Sequence, residues 1–166
     1  MRSSGLLLVA AGAVALLGCG TTSKSGHVGD GLSAGGVQVT IERIDRRPPV
    51  PSDDVSGLST PAPGDRLIGA RVKVCSKVGA AIGTYDFSLT LADGGQAQVK
   101  FPAQNYPDGF DVVRTGCGRG WIVFEYPRPT RPSEIHFKFD DTGDSAGAGN
   151  PGGSRQETHE RFSWKL

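Results

Sequence analysis

This chain has few cysteines (three), a single methionine and almost no surplus of either charge. Lys and Arg total 18 against 17 Asp and Glu, which removes the electrostatic case for nucleic acid, a partner that needs a clear basic excess or stripe. The cysteines come without a CxxC or a paired histidine, so the ligand count that zinc requires is missing, and no metal and no cofactor is expected. No stretch keeps the period of an amphipathic helix, and no apolar run reaches the roughly 20 residues of a conventional transmembrane helix. What the 166 residues hold in plenty is Gly (25) and Pro (11). A chain long enough for one ordinary domain is therefore rich in turns and loops.

The N-terminus reads MRSSGLLLVAAGAVALLGCG. One Arg precedes an apolar run from Leu6 to Leu17, the h-region of an export signal. Leu16-Leu17-Gly18-Cys19 resembles a bacterial lipobox, in which the cysteine is acylated and becomes the first mature residue. An ordinary cleaved secretory signal and an uncleaved anchor are the competing readings. Residues 1–18 are thus expected to be a lipoprotein signal peptide, with the membrane reached through lipid on Cys19. Acyl chains there would hold the protein firmly, at about 0.8 kcal/mol per buried CH₂. If Cys19 carries lipid, Cys75 and Cys117 remain as an even pair in an oxidising compartment, where disulfides persist. Two unpaired structural cysteines are the alternative.

Residues 19–35 are small and polar, with neither bulk nor apolar periodicity, and are expected to be a flexible tether. Structure is expected from Gly36 to the end, residues 36–166. Val37, Val39 and Ile41 alternate with polar residues, the period of a half-buried strand. Prolines then forbid ladder bonds across Asp45–Asp65, where PPVP formally matches PxxP but reads as a stiff spacer. Strand signals recur at Arg66–Ser76, Tyr85–Leu91 and Gln96–Phe101, weakly at Phe110–Arg114, and again at Gly120–Pro127, Glu134–Phe139 and the closing FSWKL. Seven to eight short strands parted by Gly, Pro and Asp turns point to an all-β antiparallel sandwich with long Pro/Gly-rich loops.

The order of these pieces, with GDRLIGARVKV (Gly64–Val74) and GWIVFEYP (Gly120–Pro127), resembles a family of bacterial, mostly Gram-positive, lipoprotein domains of unknown function. The resemblance runs from about Gly36 to Phe139. It implies an immunoglobulin-like fold related to that of a secreted mycobacterial immunogenic antigen. Its telling run is matched by Gly120, Ile122, Phe124, Tyr126 and Pro127, and actinobacterial members carry cysteines at the places of Cys75 and Cys117. The family implies no catalytic residues. Abundant Gly and Arg would suit a high-GC actinobacterium.

GDSAG (Gly143–Gly147) satisfies the G-x-S-x-G pattern of a nucleophile elbow. Ser145 nevertheless lies among glycines with no apolar anchor and no following helix, and the chain is too short for the two barrels of a trypsin-like protease. His27 falls in the tether, His159 near the end, and His136 on the outward side of its strand. Asp140, Asp141 and Asp144, like Asp53 and Asp54, lack the alternation of a calcium loop. Trp121 reads as sheet packing rather than a stacking platform. Arg43, Arg46, Arg47, Arg114, Arg119, Arg128 and Arg131 read as scattered and solvated, because sequence cannot register their strands and loops. The expectation is a non-enzymatic, lipid-anchored domain on the outer face of a bacterial membrane, acting through an envelope protein partner. The alternative is a small-molecule or wall-polymer binder.

Overall fold

A computed structural model describes residues 22–48, 60–79, 81–100, 108–140 and 159–166. Among them nine strands form, and the only helical element is one 3-10 turn at Thr84–Asp86. The strands are β1 (Thr22–His27), β2 (Gly31–Ala34), β3 (Val37–Asp45), β4 (Asp65–Ser76), β5 (Phe87–Leu91), β6 (Gln96–Val99), β7 (Gly116–Pro127), β8 (Pro132–Asp140) and β9 (His159–Lys165). Their order is β1-β9-β8-β5-β6-β7-β4-β3-β2. Every pairing is antiparallel except that of β1 with β9. The molecule is a β-sandwich whose two layers share β6, which pairs with β5 in one sheet and β7 in the other.

The core follows from alternation. Val39, Val72, Ile122 and Phe124 from one sheet meet Leu89, Ile135, Phe137 and Trp164 from the other, each nearly or fully shielded from water. Phe137 anchors the aromatic part, 5.0 Å from the Phe87 ring and 5.6 Å from that of Phe162. At roughly 1.5–3 kcal/mol for each large apolar side chain buried, this layer is the main source of stability.

Two expectations need correction. The segment read as a tether contains β1 and β2: Thr22–His27 lies parallel to β9 and Gly31–Ala34 pairs with β3. The glycines that looked like flexibility are turn residues. Gly35 and Gly36, both at positive φ, form the two-residue link between the paired Ala34 and Val37, where a side chain would be strained. These are edge strands held by backbone bonds and by a few borrowed contacts. Val28 and Leu32 pack on the core, and Trp164 Nε1 donates to the Asp30 carbonyl at 3.0 Å. Such strands need no apolar alternation of their own.

The second correction is Phe110–Arg114, which makes no ladder. It carries only the isolated bridge of Val113 with Ile82, and the neighbouring Gly109 bridges Trp121. The segment instead packs over the start of β7. A Cβ on Gly120 would lie 2.4 Å from the Phe110 Cα, and one on Gly118 would lie 2.3 Å from a Val113 methyl. Phe110 and Val113 are both buried but three residues apart, which is the spacing of a plug rather than of a strand.

Candidate functional site

Antiparallel pairing decides where the polar chemistry gathers. The last residues of β3 (Asp45 opposite Gly69), the first of β4 (Asp65 opposite Pro127, Arg66 opposite Tyr126) and the last of β7 all lie at one end of the sandwich. Arg46 and Arg47 directly follow β3, Arg66 opens β4, and Arg128 and Arg131 occupy the turn from β7 to β8. A cleft of about 920 Å³ opens there, rimmed by Arg43, Arg46, Arg66 and Arg131 over a floor that includes Ile68 and Tyr126. Beside it is a smaller cleft of about 590 Å³, lined by Arg46, Arg47, Arg66 and Arg128. The two share Arg46, Arg66 and Tyr126. Together they form one groove with six arginines, two side-chain carboxylates, Glu42 and Asp65, and the terminal residue Leu166 with its α-carboxylate.

Glu42 is already engaged. Its Oε1 lies 2.8 Å from Arg119, and its Oε2 lies 3.7 Å from Arg71. Among the described residues, none of the six arginines of the groove has a carboxylate within ion-pair distance. Each guanidinium carries a fixed positive charge and a planar fork of donors suited to carboxylate or phosphate oxygens. The groove can therefore hold anions.

The other arginines go elsewhere. Arg119 is on β7, held by Glu42, and Arg114 lines a small depression near the disulfide. Trp121 is 2% exposed, on the outer face of its sheet. The Arg43 and Arg71 guanidinium groups lie 5.0 and 5.9 Å from its ring centroid, and Pro48 approaches the same surface over Gly69. It is packing, as its place at the head of the strongest strand implied, and its faces are not free to stack on a ligand.

Cys75 and Cys117 are joined in a disulfide. They face each other across β4 and β7, within one sheet and at the end opposite the arginines. Cys19, Ser145, Asp141, Asp144, Asp53 and Asp54 lie outside the described residues. Asp140 closes β8 opposite His159. His27 sits beside Asp30, and His136 lies between Ser88 and Ser163 with Glu134 at 3.6 Å. Among the described residues no three His, Cys, Asp or Glu side chains are grouped to hold an ion, and no helix is long and apolar enough to cross a membrane.

One carboxylate in this half of the molecule has a displaced titration. Burial alone would push the Glu125 carboxyl up. A 2.6 Å bond from Lys100 Nζ, the Ala62 N–H and the Lys100 charge outweigh it and hold the group below the ordinary carboxylate value. That ties β7 to the chain beyond β6 and to the loop that enters β4.

Sequence reasoning missed Arg66, because it read as the first residue of a strand. The usable signal was the Pro-Gly-Asp turn before it, which places Arg66 at the end of the sheet rather than along its face.

No protein-family model and no curated protein matches the sequence. Among solved structures the chain resembles the secreted protein MPT63 of Mycobacterium tuberculosis, at 15% identity and a TM-score of 0.53, over 89% of this chain and 100% of that one. It also resembles a "putative lipoprotein" (ycdA) of Bacillus subtilis, at 14% identity and a TM-score of 0.52, over 84% of this chain and 39% of that one. At such identities the likeness is one of fold: the chain is a β-sandwich of the kind seen in these two bacterial proteins.

Proposed function

We propose that this protein is a lipid-anchored, extracytoplasmic binding domain of a bacterial cell envelope, and that it works without catalysis. The observation that carries the reading is the bond between Cys75 and Cys117. It uses two of three cysteines and leaves the third, Cys19, directly after the apolar run and Leu16-Leu17-Gly18. A disulfide fits an oxidising compartment, and a lipobox cysteine fits acylation. That the two similar structures are a secreted protein and a "putative lipoprotein" supports the same address. The chain is to be expressed in a bacterium fed labelled palmitate, beside a Cys19→Ala variant. The expected result is label in the wild-type membrane fraction and an unlabelled, unprocessed variant. Equal labelling of both would sink the anchor.

Contact with an envelope protein remains the first reading of how such a domain acts, since loops carry contact surface without chemistry. The two terminal strands, β1 and β2, are a poor route for strand addition, being joined by the short turn Val28–Asp30 and linked by Lys24 Nζ donating to the Ser33 carbonyl. The second reading, a small-molecule or polymer ligand, is favoured by a specific observation: the arginine groove is concave and amphipathic. Chemical crosslinking on intact cells separates the two, with a protein adduct supporting the first and a wall-glycan adduct the second.

A further inference from the structure

We infer that the arginine groove binds a polyanion of the envelope whose oxyanion groups repeat along its length, and does not bind the bilayer that carries the protein. The inference rests on the lipid-anchored reading only for the second half of that statement. Its first half stands on the groove. Four arginines rim the larger cleft and four the smaller, two of them in common. A single oxyanion occupies one or two guanidinium forks. Six forks along two connected clefts match a ligand whose charges repeat. The apolar floor at Ile68 and Tyr126 takes the uncharged backbone between those charges.

The membrane is placed at the opposite end. β1 runs from Thr22, on the disulfide side, towards Val28, which lines the larger cleft. The five steps from Thr22 to His27 cover about 17 Å at the rise of a strand. Cys19 stands three residues before Thr22, a reach of about 10 Å at full extension. Even turned straight back along β1, that leash leaves the acylated residue short of the groove. The anchor therefore attaches at the end of the sandwich opposite the arginines.

The test uses the full acylated chain in neutral detergent, titrated with short-chain polyphosphate and with inorganic phosphate. Polyphosphate is expected to bind much more tightly, with affinity falling as salt rises. Arg46→Gln with Arg66→Gln should weaken it by about tenfold or more, the scale of losing one or two charge-assisted contacts. Lys77→Gln with Arg114→Gln, the same charge change at the disulfide end, should leave it within about twofold. Equal losses in the two double variants would mean diffuse attraction and would overturn the site. So would inorganic phosphate binding as tightly as the polymer. For the source of the anion, the chain is reconstituted into phosphatidylcholine vesicles with and without phosphatidylglycerol, at physiological salt. Unchanged polyphosphate affinity is expected, because the screening length is about 8 Å. A tenfold loss with phosphatidylglycerol would show the groove reading its own membrane. Loss of acylation on its own would remove the anchor and leave the polyphosphate result standing.

Discussion

At one end of the sandwich, β4 and β7 are joined covalently through Cys75 and Cys117, and Phe110 and Val113 fill the space left by Gly118 and Gly120. The surface cleft there, about 430 Å³, is lined largely by small residues such as Gly35, Gly36 and Ser76. At the other end the same two strands lead into Arg66 and Arg128, and the fastening is a polar one, Lys100 to Glu125 at 2.6 Å. The chain invests cohesion where the N-terminal strand begins and charge where it finishes. On the lipid-anchored reading proposed above, the cohesive end is the one nearest the attachment at Cys19, and the charged end is the one free to meet a ligand.

The largest effect expected from this contrast is loss of the covalent link. Cys75→Ser with Cys117→Ser opens a loop spanning 42 residues, and the chain-entropy estimate for that length is about 4 kcal/mol. Urea unfolding of the oxidised wild type against the double variant measures it. A difference below about 1 kcal/mol would mean that the twelve-pair register of β4 with β7 closes the loop unaided. The disulfide end would then hold no special share of the stability.

Much of this contrast was legible before any coordinates, and the illegible parts have physical causes. Val37, Val39 and Ile41 announced β3 because one of its faces is buried and the other wet. Cys75 and Cys117 were readable as a pair from their number. β1 and β2 were not readable, because Gly29 serves the turn at positive φ, Gly26 and Gly31 leave room for neighbouring side chains such as Asp30 and Thr40, and edge strands borrow their burial from Trp164 and β3. The consequence is functional. What read as a spacer of seventeen residues is a domain whose first strand starts at Thr22, so that only Gly20 and Thr21 separate it from Cys19. The arginines read as scattered because their cluster depends on the register of β3 with β4 and of β4 with β7, and one chain stretch says nothing about which strand ends meet.

The polar fastening gives the second prediction. Lys100→Met removes the partner of a mostly buried carboxylate, whose side chain is 17% exposed, and should cost about 2 kcal/mol at neutral pH. It also changes the response to acid. The Glu125 group is held below the ordinary carboxylate value in the folded protein, so its contribution is present above the unfolded value and is lost as pH falls through the folded one. Without Lys100, burial acts with only the Ala62 N–H against it, and the carboxyl moves up. The wild type should therefore lose stability more steeply than Lys100→Met as pH drops below about 4.5. Parallel curves would show that the pair is screened by solvent and ties nothing together.

The smallest effect on stability belongs to the most charged residues, and it is the sharpest test of the contrast. The six arginines of the groove are exposed, and among the described residues none has a carboxylate within ion-pair distance. Like charges on a shared surface repel, while solvent screens the repulsion to a few tenths of a kcal/mol. Arg66→Gln with Arg131→Gln should accordingly shift unfolding by no more than about 0.5 kcal/mol, and towards greater stability if it shifts at all. The gain should be larger at low salt and vanish at high salt. A loss above about 1 kcal/mol that salt does not touch would mean that these side chains are structural, held by the packing of their stems. Stability that tolerates their removal, beside polyphosphate affinity that does not, is the signature of residues kept for binding.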